Sequence, residues 1–417
     1  MTVDIVLLGF LVPDDDFDRD SREDLYPQIA ARNFECGFFE GFLSNKLSVQ
    51  ILASTPASTY PLNKKIIFRG RESKIDSSSC VSMGYVNLPG LKGLTRFTSA
   101  LINLRRIFSW HHGSTKALCI YSLHSPYLLA ANLMNRFYGV KYFVIVPDLP
   151  QFMSLGLKRG LVFRVLKKLD YSFIRFLLRR ASGASIVAPA MLESMLELRA
   201  IPSVVIEGIS VGLTPSTPKQ ELKSGSQSNR PYFLYAGGLN EAYGVGSLLR
   251  TFCQSNLDAE LWFFGKGPLS HEIELAALQD ERIRYFGFIS QDILVGYLAG
   301  ATALLMTRSL KDNFVRFSFP SKLLIYMRSG APVLSTRLPG IPEEYFKYLT
   351  EISDDPDQLI GSLHDHLLRS QDDRKDQARK AFEFIANAKN PHAQVAKLIH
   401  LIYGQVDCKT LRKRGEI

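Results

Sequence analysis

Long hydrophobic runs are missing from this chain. No stretch of about 18 uninterrupted apolar residues occurs, which argues against a membrane-spanning helix. Cysteine is scarce and scattered, at Cys36, Cys80, Cys119, Cys253 and Cys408, with no C-x-x-C pair and no histidine at ligand spacing. That pattern excludes a disulfide framework or zinc module and leaves reduced, mostly buried thiols as the expectation. A basic n-region is lacking too: MTVDIVLLGFLVPDDDFDRD passes from a short apolar stretch into acids, so a core strand is expected there rather than a signal peptide. No internal repeat of fixed short period appears, which excludes a solenoid. The compartment expected from these absences is the cytoplasm.

What is present is ample material for a core. The 417 residues are 46% hydrophobic, with 27 Phe and 17 Tyr, so wholesale disorder is excluded and two domains are expected. The net charge of +10 is uneven: residues 1–212 carry 25 Lys/Arg against 17 Asp/Glu, and residues 213–417 carry 25 against 23. The basic first half points to a polyanion, either nucleic acid or anionic lipid.

Short apolar runs bounded by turn residues recur at 4–12, 47–54, 117–125, 141–148, 183–190 and 203–210, with helical patterns such as YLLAANLMNRFYG between them. A Ser-, Pro-, Gly- and Lys-rich stretch at 213–230 reads as a linker. The alternation then restarts at 232–238, 260–267, 282–288, 301–308 and 331–337. The expected fold class is therefore α/β, two parallel sheets each wrapped by helices.

In open parallel sheets ligands bind beyond the carboxyl ends of strands, so the loops there carry the information. YAGGLNEAYGV places Gly237 and Gly238 between a strand and a helix, where backbone N–H groups face an anion. FFGKGP forms another tight strand end. MTRSLKDNFVRFSFPSK closes a strand with Arg308 and opens a helix with Lys322, a candidate pair for a diphosphate. His124 in YSLHSPY and Asp148 in VPDLPQFM end strands of the first half, each a position that also suits an ordinary turn or N-cap.

At this point FSFPSKLLIYMRSGAPVLSTRLPGIPEEY resembles the donor-site block of family 4 retaining glycosyltransferases of bacterial surface polysaccharide biosynthesis. YAGGLNEAYGV, FFGKGP and YFGFIS resemble three further blocks in the right order. The resemblance spans 232–345 specifically and the whole chain loosely. It implies a GT-B fold of two Rossmann-like domains: an acceptor-binding domain over 1–212, a nucleotide-sugar-binding domain over 231–390, and a C-terminal helix and tail over 391–417 that crosses back to the first. By the same resemblance Arg308, Lys322, Gly237 and Gly238 hold the donor diphosphate. Ser318, Phe319 and Ser321 face the donor sugar, Gly287 and Phe288 lie near the nucleobase, His124 is the catalytic-side histidine, and Asp148 lies on the acceptor side. No metal and no bound cofactor are implied, the nucleoside-diphosphate sugar being a co-substrate.

The chain departs from that pattern at four positions. The two glutamates usual in this block are replaced by Phe317 and Ile325. In the glycine loop, Gly238 and Tyr243 stand where many relatives carry Arg and Lys.

Residues 151–183 contain eight Lys/Arg and one Asp among Leu, Phe, Val and Ile, the composition of an amphipathic helix lying on an anionic membrane. Arg175, Arg179 and Arg180 are its expected surface contacts, against the alternative of a solvated basic face. Nucleic acid is disfavoured because no recognised module accompanies the charge. The functional expectation is transfer of a sugar to a lipid-linked saccharide with retention, at the inner face of the membrane. A non-catalytic membrane-associated binding subunit and a GT-B sugar-nucleotide epimerase are the rivals.

Overall fold

The computed structural model describes residues 3–24, 28–110, 117–152, 160–212 and 230–414. The expected linker, 213–230, lies outside the described residues except for its last position, as do residues 153–159 of the basic stretch. The chain forms two compact units, Met1–Val211 with Asn390–Ile417, and Gly212–Lys389.

The first unit runs β1 (Ile5–Gly9), α1 (Asp14–Ser21), α2 (Ile29–Ser44), β2 (Val49–Ala53), β3 (Ile67–Phe68), β4 (Arg71–Ile75), β5 (Ser78–Ser82), β6 (Tyr85–Val86), α3 (Leu91–Trp110) and β7 (Ala117–Tyr121). It continues with α4 (Ser125–Tyr138), β8 (Tyr142–Val146), α5 (Leu161–Leu178), β9 (Gly183–Ile186), α6 (Met191–Ser194), α7 (Leu196–Arg199) and β10 (Ser203–Val205). Its main sheet has the order β10-β9-β8-β7-β1-β2-β5-β4, parallel except for the antiparallel β4–β5 pair at one edge. β1, β7 and β8 are buried along their whole length, which is why they read as unbroken apolar runs. A separate antiparallel pair, β3 with β6, together with β4 and β5, fills 67–86, a segment the apolar runs did not mark.

The second unit runs β11 (Tyr232–Ala236), α8 (Val245–Gln254), β12 (Glu260–Phe264), α9 (Ser270–Gln279), β13 (Ile283–Tyr285), α10 (Gln291–Gly300), β14 (Ala303–Met306), α11 (Lys322–Arg328), β15 (Val333–Thr336), β16 (Thr350–Ile352), α12 (Pro356–Leu368) and α13 (Gln371–Ala388). Its sheet, β13-β12-β11-β14-β15-β16, is parallel throughout, and the order reverses at β11 and β14. That reversal is the switch point where an open sheet leaves a crevice, and the loops after β11 and β14 are the ones bearing Gly237 and Arg308. The α/β architecture is the one expected from the sequence.

The last helix, α14 (Pro391–Arg414), belongs to the first unit. Val395, Leu398, Ile399 and Ile402 join the core of Phe38, Phe39 and Phe42 from α2. A Cβ at Gly41 would overlap the Val395 side chain, so α2 and α14 approach closely because that position is glycine. Cys80 and Cys119 are buried and Cys36 half-buried, but Cys253 is exposed, an exception to the expected burial of the thiols. It lies on α8, whose apolar face is already filled by Val245, Leu248, Leu249 and Phe252.

Candidate functional site

The loop after β11 is built by close backbone packing. Gly237 has φ +147° and Gly265, in the loop after β12, has φ +128°, both in the region that side chains disfavour. A Cβ at Gly265 would overlap the Gly237 carbonyl oxygen, and a Cβ at Gly237 would overlap the Lys322 side chain. Gly237 N–H donates to the Phe264 carbonyl at 2.8 Å, and Gly265 N–H donates to the Gly287 carbonyl at 2.7 Å. Three strand ends are thereby tied in one layer, with the long side chain of Lys322 laid across the first.

Lys322 and Arg308 meet over Tyr243. The Arg308 guanidinium carbon lies 4.6 Å from the Tyr243 ring centre and 4.8 Å from that of Phe314. Lys322 Nζ lies 5.5 Å from the centre of Tyr243 and 5.3 Å from that of Tyr235. No carboxylate pairs with either cation among the described residues, although both side chains are half-buried. Burial lowers the Arg308 pKa, and burial, with the Arg308 charge second, brings Lys322 down to about 8. The Tyr243 ring is held by local chemistry. Asn240 accepts the Tyr243 N–H on its side chain at 3.1 Å, and Gly244 turns the chain at φ +73° against the Thr307 carbonyl. Tyr326, fully buried on α11, accepts the Ala236 N–H at 2.7 Å and so fixes the helix carrying Lys322 to the end of β11.

The structure thus brings Gly237, Gly238, Arg308 and Lys322 together, and a Cβ at Gly238 would come within 2.9 Å of the Tyr243 ring. The charge is delivered by side chains rather than by a helix end, since α11 has only seven residues and a short helix carries little macrodipole. Ser318 donates its hydroxyl to the Phe314 carbonyl at 3.3 Å, Phe319 packs on Tyr345, and Ser321 is exposed just before α11. Gly287 turns the chain after β13 at φ +67°, and Phe288 beside it is 64% exposed, an apolar ring presented to solvent at a strand's carboxyl end. Ile325 packs against the core of the second unit, and Phe317 lies beneath Arg316, 5.8 Å from guanidinium carbon to ring centre. Tyr235 and Tyr326 were not foreseen as parts of this site, because an aromatic residue inside an apolar strand or helix reads as core.

In the first unit His124 precedes α4 directly, its ring 5.4 Å from Phe10 and 4.4 Å from Tyr127 by centroids. Burial first, then Arg96 and Lys92, hold it well below the ordinary imidazole value, so it is neutral. Its neighbour Ser122 has φ +69°, a rare conformation for a residue with a side chain and one that clusters at functional loops. Asp148 follows β8 and is solvent-accessible, while the protein packed around its base raises its carboxyl to about 6.

Lys322 titration gives a measurable consequence. An anion held between Lys322 and Arg308 raises the lysine pKa, so binding above about pH 8 takes up a proton. Affinity for a nucleoside diphosphate is expected to fall toward tenfold per pH unit above that value. Calorimetric titrations between about pH 7 and 9.5 measure it, and an affinity flat over that interval would remove Lys322 from the binding step.

Residues 230–368 match a family model described as glycosyl transferases group 1. A search of curated proteins by sequence found no match. Solved structures similar along nearly the whole chain include sucrose-phosphate synthase from Thermosynechococcus elongatus, at 14% identity and TM-score 0.65, covering 97% of this chain and 100% of that one. An α,α-trehalose-phosphate synthase (UDP-forming) from Burkholderia vietnamiensis matches at 8% identity and TM-score 0.64, covering 98% and 100%. An Anabaena protein in complex with UDP matches at 12% identity and TM-score 0.62, covering 96% and 100%. At these identities the likeness establishes the GT-B fold in two domains.

Proposed function

We propose that this protein transfers a sugar from a nucleoside-diphosphate sugar to a lipid-linked saccharide acceptor, with retention of configuration, in surface polysaccharide biosynthesis. The observation that carries the donor half is the pair of half-buried cations, Arg308 and Lys322, held against Tyr243 above the backbone of Gly237 with no carboxylate in ion-pair reach among the described residues. Two partly desolvated cations side by side repel each other unless a ligand supplies their counter-charge, and a diphosphate leaving group develops negative charge where these two converge. The leaving phosphate then accepts the acceptor's proton on the same face of the sugar, so no protein nucleophile is required. His124, neutral and fixed by Phe10 and Tyr127, is assigned to positioning the sugar, and Phe288 to the nucleobase.

The membrane half rests on α5. Phe163, Val165, Leu166, Leu169, Phe173 and Phe176 are all exposed on it, Leu169 at 62%, in a stripe at three- and four-residue spacing flanked by Arg164 and Lys168. Arg175 and Arg179 are committed elsewhere, since both pair with the buried Glu197 on α7, at 2.9 and 3.1 Å, and Arg180 lies over Phe176. Charge reversal at those positions would break a bridge within the unit, so the apolar stripe is the better target. Leu166→Gln with Leu169→Gln is expected to release the protein from vesicles containing anionic lipid in a flotation assay, with its thermal midpoint unchanged. Undiminished flotation would refute contact through α5.

The donor reading is tested by calorimetry or thermal shift with UDP, GDP and their sugar conjugates. Stabilisation by one nucleotide family identifies the donor class, with UDP first because two of the similar structures are UDP-linked by name. Loss of all response, in protein shown to be folded, would favour a non-catalytic binding subunit, the reading that Phe317 and Ile325 in the donor block suit best.

A further inference from the structure

A second pair of cations, with no ion-pair partner among the described residues, lies in the first unit, on α3. Lys92, in the first turn, donates from Nζ to the Ala57 carbonyl at 2.5 Å and to the Thr59 hydroxyl at 3.2 Å. Arg96, one turn on and 5% exposed, donates from one terminal nitrogen to the Thr55 carbonyl at 2.7 Å. Its guanidinium lies over Tyr85 at 4.3 Å and Phe10 at 5.3 Å. Arg96 Nε is buried with no hydrogen-bond partner, and so is Nδ1 of His124, whose ring packs on the same Phe10. Neither Lys92 nor Arg96 forms an ion pair among the described residues. Asp24 acts on Lys92 electrostatically without an ion pair, and one of its oxygens accepts the Ser58 N–H and the Asn63 amide.

Two helix N-termini also meet here. A Cβ at Gly93 would lie 3.7 Å from Pro126, so the first turns of α3 and α4 adjoin, with Lys92 on one and His124 directly before the other. Both helices are long, 20 and 14 residues, and their ends add positive potential at the same place. A buried guanidinium N–H left unmade is unfavourable, and Arg96 Nε, beside the Lys92 ammonium and an unpartnered ring nitrogen of His124, forms an arrangement that an anion would complete. Burial first, then the Arg96 charge, brings Lys92 down to about 7 against an opposing contribution from Asp24, and burial first, then Arg96 and Lys92, holds His124 well below the ordinary imidazole value.

We infer that Lys92 and Arg96, beside His124 at the joined N-termini of α3 and α4, form a binding site for a phosphate group, and that the acceptor carries that group. The role as acceptor site rests on the transferase reading, whereas the anion site itself does not. The phosphate could belong to a soluble sugar phosphate or to the head of a lipid-linked diphosphate, and the two share this chemistry.

The test uses the full chain in the Lys322→Ala background, so that phosphate binding at the donor site is weakened. Inorganic phosphate is titrated first by calorimetry, then a sugar monophosphate, then a lipid-linked diphosphate in detergent. The background protein is expected to retain phosphate binding, and adding Lys92→Gln is expected to weaken it at least tenfold. Lys92→Gln alone is expected to bind nucleoside diphosphate as the parent does, which separates this site from the donor reading. Tighter binding of the monophosphate assigns a soluble acceptor, and tighter binding of the diphosphate lipid assigns a membrane-borne one. Arg96→Lys, which keeps the charge in a core position, gives the same comparison if Lys92→Gln fails to fold. Phosphate binding that vanishes in Lys322→Ala, or that Lys92→Gln leaves unchanged, would overturn the site.

Discussion

Lys322→Ala is expected to weaken nucleoside-diphosphate binding by about 10–100-fold and, at the same time, to raise the thermal midpoint of the protein. The first effect follows from losing a hydrogen bond to a charged group, worth about 1.5–3 kcal/mol, at a tenfold change per 1.4 kcal/mol. The second follows from the sign of the pKa shift. The lysine is depressed to about 8 in the folded protein, so its charged form is less favourable folded than unfolded at neutral pH, and removing it relieves that penalty. A purely structural lysine would show the opposite, with stability lost and ligand affinity unmoved. The double readout, titration calorimetry for affinity and calorimetric melting for stability, therefore distinguishes a binding residue from a packing one. Affinity that is unchanged in the variant would place the diphosphate elsewhere.

The second large effect is expected at Gly265. Its φ of +128° is strained for alanine, and the added Cβ would fall on the Gly237 carbonyl, a backbone atom with no rotamer to escape into. Its carbonyl also accepts the Tyr285 hydroxyl at 3.0 Å, so a shift there disturbs three strand ends together. Gly265→Ala is expected to destabilise the second unit by about 3 kcal/mol or more, the sum of backbone strain and displacement, and to reduce nucleotide affinity through the displaced Gly237. Gly361→Ala is the control. That residue is exposed on α12 with nothing within 4 Å of its Cβ position, and helix propensity predicts a gain of about 0.5–1 kcal/mol. Chemical denaturation of the two variants should move in opposite directions. Equal stabilities would mean that the close approach of the two loops is pliable.

Both expectations depend on contacts between loops that are distant in sequence, and the same distinction governs what was legible beforehand. The parallel strands β1, β7, β8, β11 and β12 were legible because each is buried on both faces and spells an apolar run. The segment 67–86 was not, because RESKI and SSCVS pair at a sheet edge where burial is partial and no apolar run forms. Arg175 and Arg179 read as free surface charge because their partner, Glu197, follows by 18–22 residues, beyond any helical spacing. Lys92 and Arg96, one turn apart on an amphipathic helix, look like a solvated face in sequence. Only the packing of α3 on β6 and on the 55–59 loop turns them inward.

The sequence by itself determined the two-unit α/β architecture and the loops at the carboxyl ends of its strands, because burial on both faces of a parallel strand and turns at strand ends are local constraints. It also named Gly237, Arg308 and Lys322, since glycine and cations at strand ends have few local uses. Only the tertiary structure decided which charges remain unpaired. Whether a cation is neutralised depends on what the other strands and helices bring within hydrogen-bonding reach. The fold supplies Glu197 to Arg175 and Arg179, and supplies aromatic rings and carbonyls to Arg308, Lys322, Lys92 and Arg96, with no carboxylate in ion-pair contact among the described residues.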